Sequence, residues 1–250
     1  MEDLRVGAYG DVVADVYDDW FAVGSYDQHE ADAAAVFLAA QANGGRALEL
    51  GIGTGRVALP LSRRGIEVHG VEASELMVAK LRAKPGGAAL PVTIGNFVDV
   101  AAPGQFDLIY IVFNTLFFLT RQEEQVRCLG NVRDRLRSHG RLVVQAFVPN
   151  PAHFQQAERI QLGEMTADQV RLDFNRHDPV GQTLFSQRVV LAPNGTKLYP
   201  MLIRYIWPSE LDLMCRLHHL RLVERVNDWG RQVFDSASSR HVSVYEVEDV

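Results

Sequence analysis

The residues best suited to chemistry lie in one stretch, Leu48-Glu49-Leu50-Gly51-Ile52-Gly53-Thr54-Gly55-Arg56, with Glu72 following at a distance. Glycines let a backbone pass close beneath a ligand, and the helix N-terminus after such a turn offers free N–H groups. A carboxylate closing the next strand, about 20 residues on, can accept hydrogen bonds from ribose hydroxyls. A dinucleotide site needs Gly-x-Gly-x-x-Gly, whose third glycine allows tight packing of helix on strand. Here that third position is Arg56, which argues against an NAD-dependent oxidoreductase. Glu49, just before the loop, is poorly placed beside a pyrophosphate. It suits a ligand that carries an ammonium group and a sulfonium charge.

These residues must be held by strands and helices, and the apolar pattern supplies them. RALELG reads as a strand, RVALPLSRRG as a helix, IEVHGVEA as a second strand and SELMVAKLRAK as a second helix. LPVTIGNF and FDLIYIVF follow as strands. RQEEQVRCLGNVRDRLRSHG is a long helix, and GRLVVQAFV is a fifth strand. Such alternation means βαβ units and a parallel sheet covered on both faces. Two helices precede it, over 11–21 and 28–43, the second stopped by Gly44-Gly45. Beyond Pro151, strands are expected over 158–176, 183–191 and 197–206, with turns at His177-Asp178-Pro179 and at Pro193-Asn194-Gly195. Asn-Gly is a strong hairpin signal, so these strands form an antiparallel sheet added to the core. A helix from Pro208 and two closing strands, RLVERVNDW and HVSVYEV, complete the chain. The expected division of this single domain is a helical lid over 1–45, a ligand-binding core over 46–150, an inserted sheet over 151–207 and a C-terminal helix with a strand pair over 208–250.

Composition narrows the function. The chain has 250 residues and a net charge of −6. No stripe of basic residues could follow a phosphate backbone, so nucleic acid is not the expected substrate. No apolar run is long enough to span a membrane. The acidic N-terminus lacks an apolar leader pattern, so a cytoplasmic location is expected. Cys128 and Cys215 lie far apart and read as buried apolar side chains. No cluster suggests a metal site.

ELGIGTGR followed by VEAS resembles motifs I and II of the class I S-adenosylmethionine-dependent methyltransferases, and the resemblance covers about residues 10–150. It implies a Rossmann-like α/β sandwich with a seven-stranded sheet, its last strand antiparallel, and S-adenosylmethionine as cofactor. Gly51, Gly53 and Gly55 then lie under the amino-acid part of the cofactor, alongside Glu49 and Arg56. Glu72 holds the ribose, while Ala73 and Met77 flank the adenine. Asn96 meets the adenine amino group, where relatives often have Asp, and Phe97 covers the ring. Phe113 faces the methyl-donating end. The N-terminal Val16-Tyr17-Asp18-Asp19-Trp20-Phe21 and Tyr26-Asp27 are similar to the lid of small-molecule methyltransferases, including those acting on amino sugars in natural-product pathways. The resemblance makes Tyr17 a cofactor residue and Tyr26 a catalytic one.

Methyl transfer from a sulfonium is a displacement on an activated donor, so alignment and water exclusion dominate. A base is needed only where the acceptor atom holds a proton at neutral pH. His177, with Asp178 beside it, is the candidate base, and His153 lies near the expected pocket. Trp20, Asn114, Phe117 and Arg204 are the expected acceptor-binding residues. The aromatics around them favour a flat or apolar acceptor. Strand four ends in Phe113-Asn114-Thr115-Leu116, without the Asp/Asn-Pro-Pro-aromatic tetrad of enzymes that methylate nucleic-acid or glutamine amines. The expected activity is methylation of N or C on a small secondary metabolite, aromatic or amine-containing. Alternatives are N-methylation of an amino sugar nucleotide, O-methylation, and a module that binds the cofactor without transfer. Monomer and homodimer stay equally open.

Overall fold

The computed structural model describes residues 8–22, 27–154 and 157–248. At its centre is a seven-stranded sheet: β1 (Arg46–Leu50), β2 (Glu67–Glu72), β3 (Val92–Ile94), β4 (Phe106–Ile111), β5 (Leu136–Phe147), β10 (Leu220–Val226) and β11 (Arg240–Val247). Their spatial order is β10-β11-β5-β4-β1-β2-β3. The five strands from β3 to β5 are mutually parallel, while β11 runs antiparallel to both β5 and β10. The expected topology holds.

The period of two in each strand divides the core. Leu48, Leu50, Ile109 and Ile111 pack on one face with Leu129 and Val132 of α6 (Gln122–Arg135) and Met214 of α7 (Pro208–Arg216). Ala47, Leu108 and Tyr110 pack on the other face with Leu38 of α3 (Gln28–Ala42) and Leu61 of α4 (Ala58–Ser62). Local signals set the helix ends. Asp27 accepts the Glu30 amide at 3.0 Å at the start of α3, and Asn43 ends it in a left-handed conformation. Ser74 accepts the Met77 amide at 3.2 Å to open α5 (Glu75–Ala83). Asp27 and Ser74 are standard N-cap residues, and the left-handed stop of α3 falls on Asn43, just before the expected Gly44-Gly45.

The N-terminal helix expected over 11–21 is broken into α1 (Ala8–Val13) and α2 (Tyr17–Trp20). The inserted sheet has four antiparallel strands rather than three: β6 (Glu158–Met165), β7 (Val170–Asp178), β8 (Thr183–Ala192) and β9 (Gly195–Arg204). The segment expected as one strand over 158–176 folds back at Thr166, whose hydroxyl accepts the Gln169 amide at 3.1 Å. His177 and Asp178 end β7, and the turn follows them. Asp178 accepts the amides of Val180 and Gly181 there. The Asn194-Gly195 hairpin forms as expected, with Ala192 paired to Gly195. Among the described residues no helix is long and apolar enough to cross a membrane.

Candidate active site

Two cavities meet at the C-terminal ends of the parallel strands, where open α/β sheets bind ligands. They share Tyr9, Tyr17, Thr115 and Phe118 as a common wall. The first, about 270 Å³, is a cleft lined by Gly51, Gly53, Glu72, Met77, Asn96 and Phe97, with Ala73 beside them. The second, about 300 Å³, is lined by Trp20, Arg56, Phe113, Asn114, Arg188 and Tyr199.

The cleft is built from backbone geometry. Gly51 and Gly53 adopt positive φ, +74° and +54°, which L side chains rarely take. Glu72, at the end of β2, accepts the Gly53 amide at 2.8 Å and the Ala73 and Ser74 amides at 2.9 Å each. Burial raises the Glu72 pKa, and those three amides oppose the rise by favouring the charged form. The Asn96 carbonyl accepts the Val98 amide at 3.0 Å, which fixes the side chain against the cleft and leaves its amide group unused by that bond.

Four residues sit differently from the sequence expectation. Gly55, at φ +78°, lines neither cavity; a Cβ there would lie 2.3 Å from Leu81 Cδ1, so the glycine serves the packing of α5. Glu49 is 4 % exposed and also lines neither cavity. Tyr110 donates to its carboxylate at 3.0 Å, and burial pushes its pKa up to about 8. Arg56 and Phe113 border the second cavity rather than the cleft. The Arg56 guanidinium lies over the rings of Phe113, Phe21 and Tyr17 at 4.3, 4.6 and 5.5 Å, a cation–π cage that holds a charge where water is scarce.

The second cavity takes walls from both the lid and the inserted sheet. Trp20 packs edge-on to Tyr199 at 4.7 Å, and Arg188 lies over Trp20 at 4.7 Å. Arg188 is held from behind by Asp173 at 2.7 and 3.2 Å. Phe113 and Asn114 both have positive φ, and the Asn114 carbonyl accepts the Phe147 amide at 2.7 Å. This strained pair turns the chain out of β4 and under the cavity. Among the described residues, the charged side chains on the wall are the two arginines, and no carboxylate lines it. Tyr9 stacks on Phe118 at 4.8 Å. Burial raises the pKa of both Tyr9 and Tyr17, so each phenol keeps its proton at neutral pH.

Five other expected residues meet the structure as follows. His177 is buried, Nε2 lying 2.9 Å from the Tyr205 hydroxyl, and it lines neither cavity. Arg204 is buried too, bound to Glu210 at 2.8 Å and to Gln125 at 2.6 Å, and it lines neither cavity. Phe117 is core, edge-on to Phe147 at 5.1 Å, and its neighbour Phe118 lines the cavities instead. Tyr26 lies outside the described residues, as does the side chain of His153. Sequence reasoning missed Tyr9, Arg188 and Tyr199. Tyr9 precedes Tyr17 by about two helical turns, a spacing that could have paired them. Arg188 and Ser186 alternate on one face of β8, but nothing local says which face lines a cavity.

Comparison with known proteins agrees with this geometry. A family described as methyltransferase domain matches residues 47–140. The CcbJ methyltransferase from Streptomyces caelestis is 41 % identical, with 96 % of this chain and 98 % of that one covered at a TM-score of 0.87. The cypemycin N-terminal methyltransferase of Streptomyces sp is 25 % identical over 209 residues, 82 % of this chain and 84 % of that protein. CalS10 from Micromonospora echinaspora, an amino pentose methyltransferase solved with S-adenosylmethionine, shares the fold at a TM-score of 0.71 and 19 % identity, covering 93 % of this chain and 97 % of that one.

Proposed function

Because the chain belongs to the class I S-adenosylmethionine-dependent methyltransferases, we propose that it methylates a nitrogen of a small natural-product molecule seated in the second cavity. The cofactor is S-adenosylmethionine, which when bound supplies a methyl group already activated by its sulfonium. The cleft fits that group by its chemistry: positive-φ glycines that leave room beneath a ligand, a buried carboxylate at the strand end, and an amide beside an aromatic ring at Asn96-Phe97.

The observation that carries the reading is the shared wall of Tyr9, Tyr17, Thr115 and Phe118 between the two cavities. An acceptor in one and a donor in the other meet there with water displaced by aromatic rings, the arrangement an in-line displacement needs. The electrostatics favour nitrogen. An amine attacks only when neutral, and the guanidiniums of Arg56 and Arg188, with no carboxylate among the described residues of the wall, disfavour an ammonium in this cavity. The amine can thus lose its proton to solvent on entry, with no general base at the reacting atom. The phenols of Tyr9 and Tyr17 can orient the lone pair. The name of the cypemycin relative, an N-terminal methyltransferase, points to the same atom type.

The test is mass spectrometry of reactions containing the enzyme, deuteromethyl-labelled S-adenosylmethionine and a panel of small amines, phenols and amino sugars. Label on nitrogen supports the reading. Label on oxygen alone overturns it in favour of O-methylation, and tight cofactor binding with no transfer to any acceptor would favour a binding module.

A further inference from the structure

We propose that Lys84 is a positioning residue for methyl transfer, tying the lid helix α2 to the glycine bend and so holding Tyr17 over the cofactor. Three carboxylates of the N-terminal segment reach across to α5 and its ends. Ser74 donates to Asp11 at 2.5 Å, Lys80 meets Asp15 at 2.8 Å, and Lys84 meets Asp18 at 2.8 Å. The middle contact is solvent-exposed and contributes little. The last differs because it is a three-way junction. Lys84 Nζ also donates to the Thr54 carbonyl at 2.9 Å, and the Thr54 hydroxyl donates to Asp18 at 2.6 Å. Thr54 is 1 % exposed and follows Gly53, whose amide holds Glu72.

One ammonium therefore joins the end of α5, the bend that carries the cofactor and the helix that supplies Tyr17 and Trp20 to the cavities. Two of the three lysines in the chain serve this contact strip. Without the Lys84 charge, Asp18 keeps, among the described residues, only the Thr54 hydroxyl, the Thr54 carbonyl loses this donor, and α2 is held by the packing of Tyr17 and Trp20 alone, so it opens more often. An open lid exposes the cleft, so cofactor escapes faster, and Tyr17 no longer meets the acceptor in a fixed place.

The experiment reads release of radiolabelled S-adenosylmethionine from the full chain, chased with excess unlabelled cofactor, and needs no acceptor. Lys84→Met and Asp18→Asn are each expected to speed release roughly tenfold, the scale of one charge-assisted hydrogen bond. The double variant should release no faster than the quicker single variant, because both break one junction. Lys84→Arg should restore slow release, and thermal midpoints should stay near wild type. Wild-type release from Lys84→Met, or single effects that multiply in the double variant, overturns the proposal. Faster release accompanied by an equal loss of thermal stability in both single variants also overturns it, since that is the mark of a purely structural residue.

Discussion

The carboxylate of Glu72 accepts the amide of Gly53 at 2.8 Å, so the acid that ends β2 is fastened to the glycine bend that follows β1. With the Ala73 and Ser74 amides also bound, three of a carboxylate's roughly four acceptor positions are filled by the chain's own backbone. Glu72 therefore shapes the bend while keeping only about one position for a ligand hydroxyl.

Replacing Glu72 with Ala removes that ligand contact and frees the bend together. Cofactor affinity should fall by about 1.5–3 kcal/mol, the scale for hydrogen bonds to charged groups, and calorimetric titration with S-adenosylhomocysteine measures it. An unchanged affinity would remove Glu72 from the site.

Two neighbouring glycines should separate stability from binding. Gly55→Ala places a Cβ 2.3 Å from Leu81 Cδ1 and 3.3 Å from Leu59 Cγ, at φ +78°. Overpacking and left-handed strain together should cost about 2–4 kcal/mol of stability in urea unfolding. Gly53→Ala meets nothing nearer than 4.0 Å and points into open cleft. Its stability loss should be the smaller and its loss of cofactor affinity the larger. The reverse ranking would contradict the assignment of Gly55 to packing.

Glu49 makes stability depend on pH in the less common direction for an acid. Burial raises its folded pKa to about 8 from the ordinary 4.5. Between those values the folded chain holds a proton that the unfolded chain releases, so this group's contribution falls as pH rises through the window. Glu49→Gln keeps an acceptor for the Tyr110 hydroxyl and removes the ionisation. It should match wild type near pH 4.5 and exceed it by roughly 2–4 kcal/mol near pH 8. Urea unfolding across that range checks it; a gap that fails to widen with pH would mean that Glu49 is charged in the folded chain.

The sheet was legible because both faces of each central strand are apolar and two of the helices, α3 and α5, carry side-chain caps at Asp27 and Ser74. The cleft was legible for a related reason: Gly51, Gly53 and Glu72 act through backbone conformation and a fixed offset, which sequence records directly. The second cavity was legible only in part, at Trp20 and Asn114. The rest of its wall joins the N-terminal helices to β8 and β9, more than 100 residues further along the chain, and strand alternation gives two faces without saying which is turned inward. His177 and Arg204 illustrate the error that follows. Each was a polar side chain in the inserted sheet, and each proved to be buried against Tyr205 or against Glu210. The division of 158–176 into two strands was hidden because Thr166-Ala167-Asp168-Gln169 holds its turn through a hydroxyl and lacks Gly or Pro.

Two arginines of the inserted sheet should give opposite phenotypes. Arg204 is 6 % exposed and binds Glu210, Gln125 and Gln182. Burial pulls the Glu210 carboxyl upward, but hydrogen bonds from Gln182, Arg204 and Gln122 outweigh it and hold the pKa below its ordinary value. Arg204→Ala leaves that carboxylate without its cation, so stability should drop by about 3–5 kcal/mol, and surviving enzyme at low temperature should keep its acceptor KM. Arg188 is partly exposed on the cavity wall, between Asp173 and Trp20. Arg188→Met keeps the apolar stem over Trp20 but leaves the part-buried Asp173 carboxylate without its cation, so stability should fall by about 1–3 kcal/mol, less than for Arg204→Ala. Acceptor kcat/KM should fall at least roughly tenfold while cofactor affinity holds. With an amine acceptor the variant's pH–rate profile should also shift toward higher pH, because an amine in the cavity stays protonated longer once a neighbouring cation is gone. If Arg188→Met loses only stability and Arg204→Ala loses only acceptor turnover, the inner face of the inserted sheet has been assigned to the wrong residues.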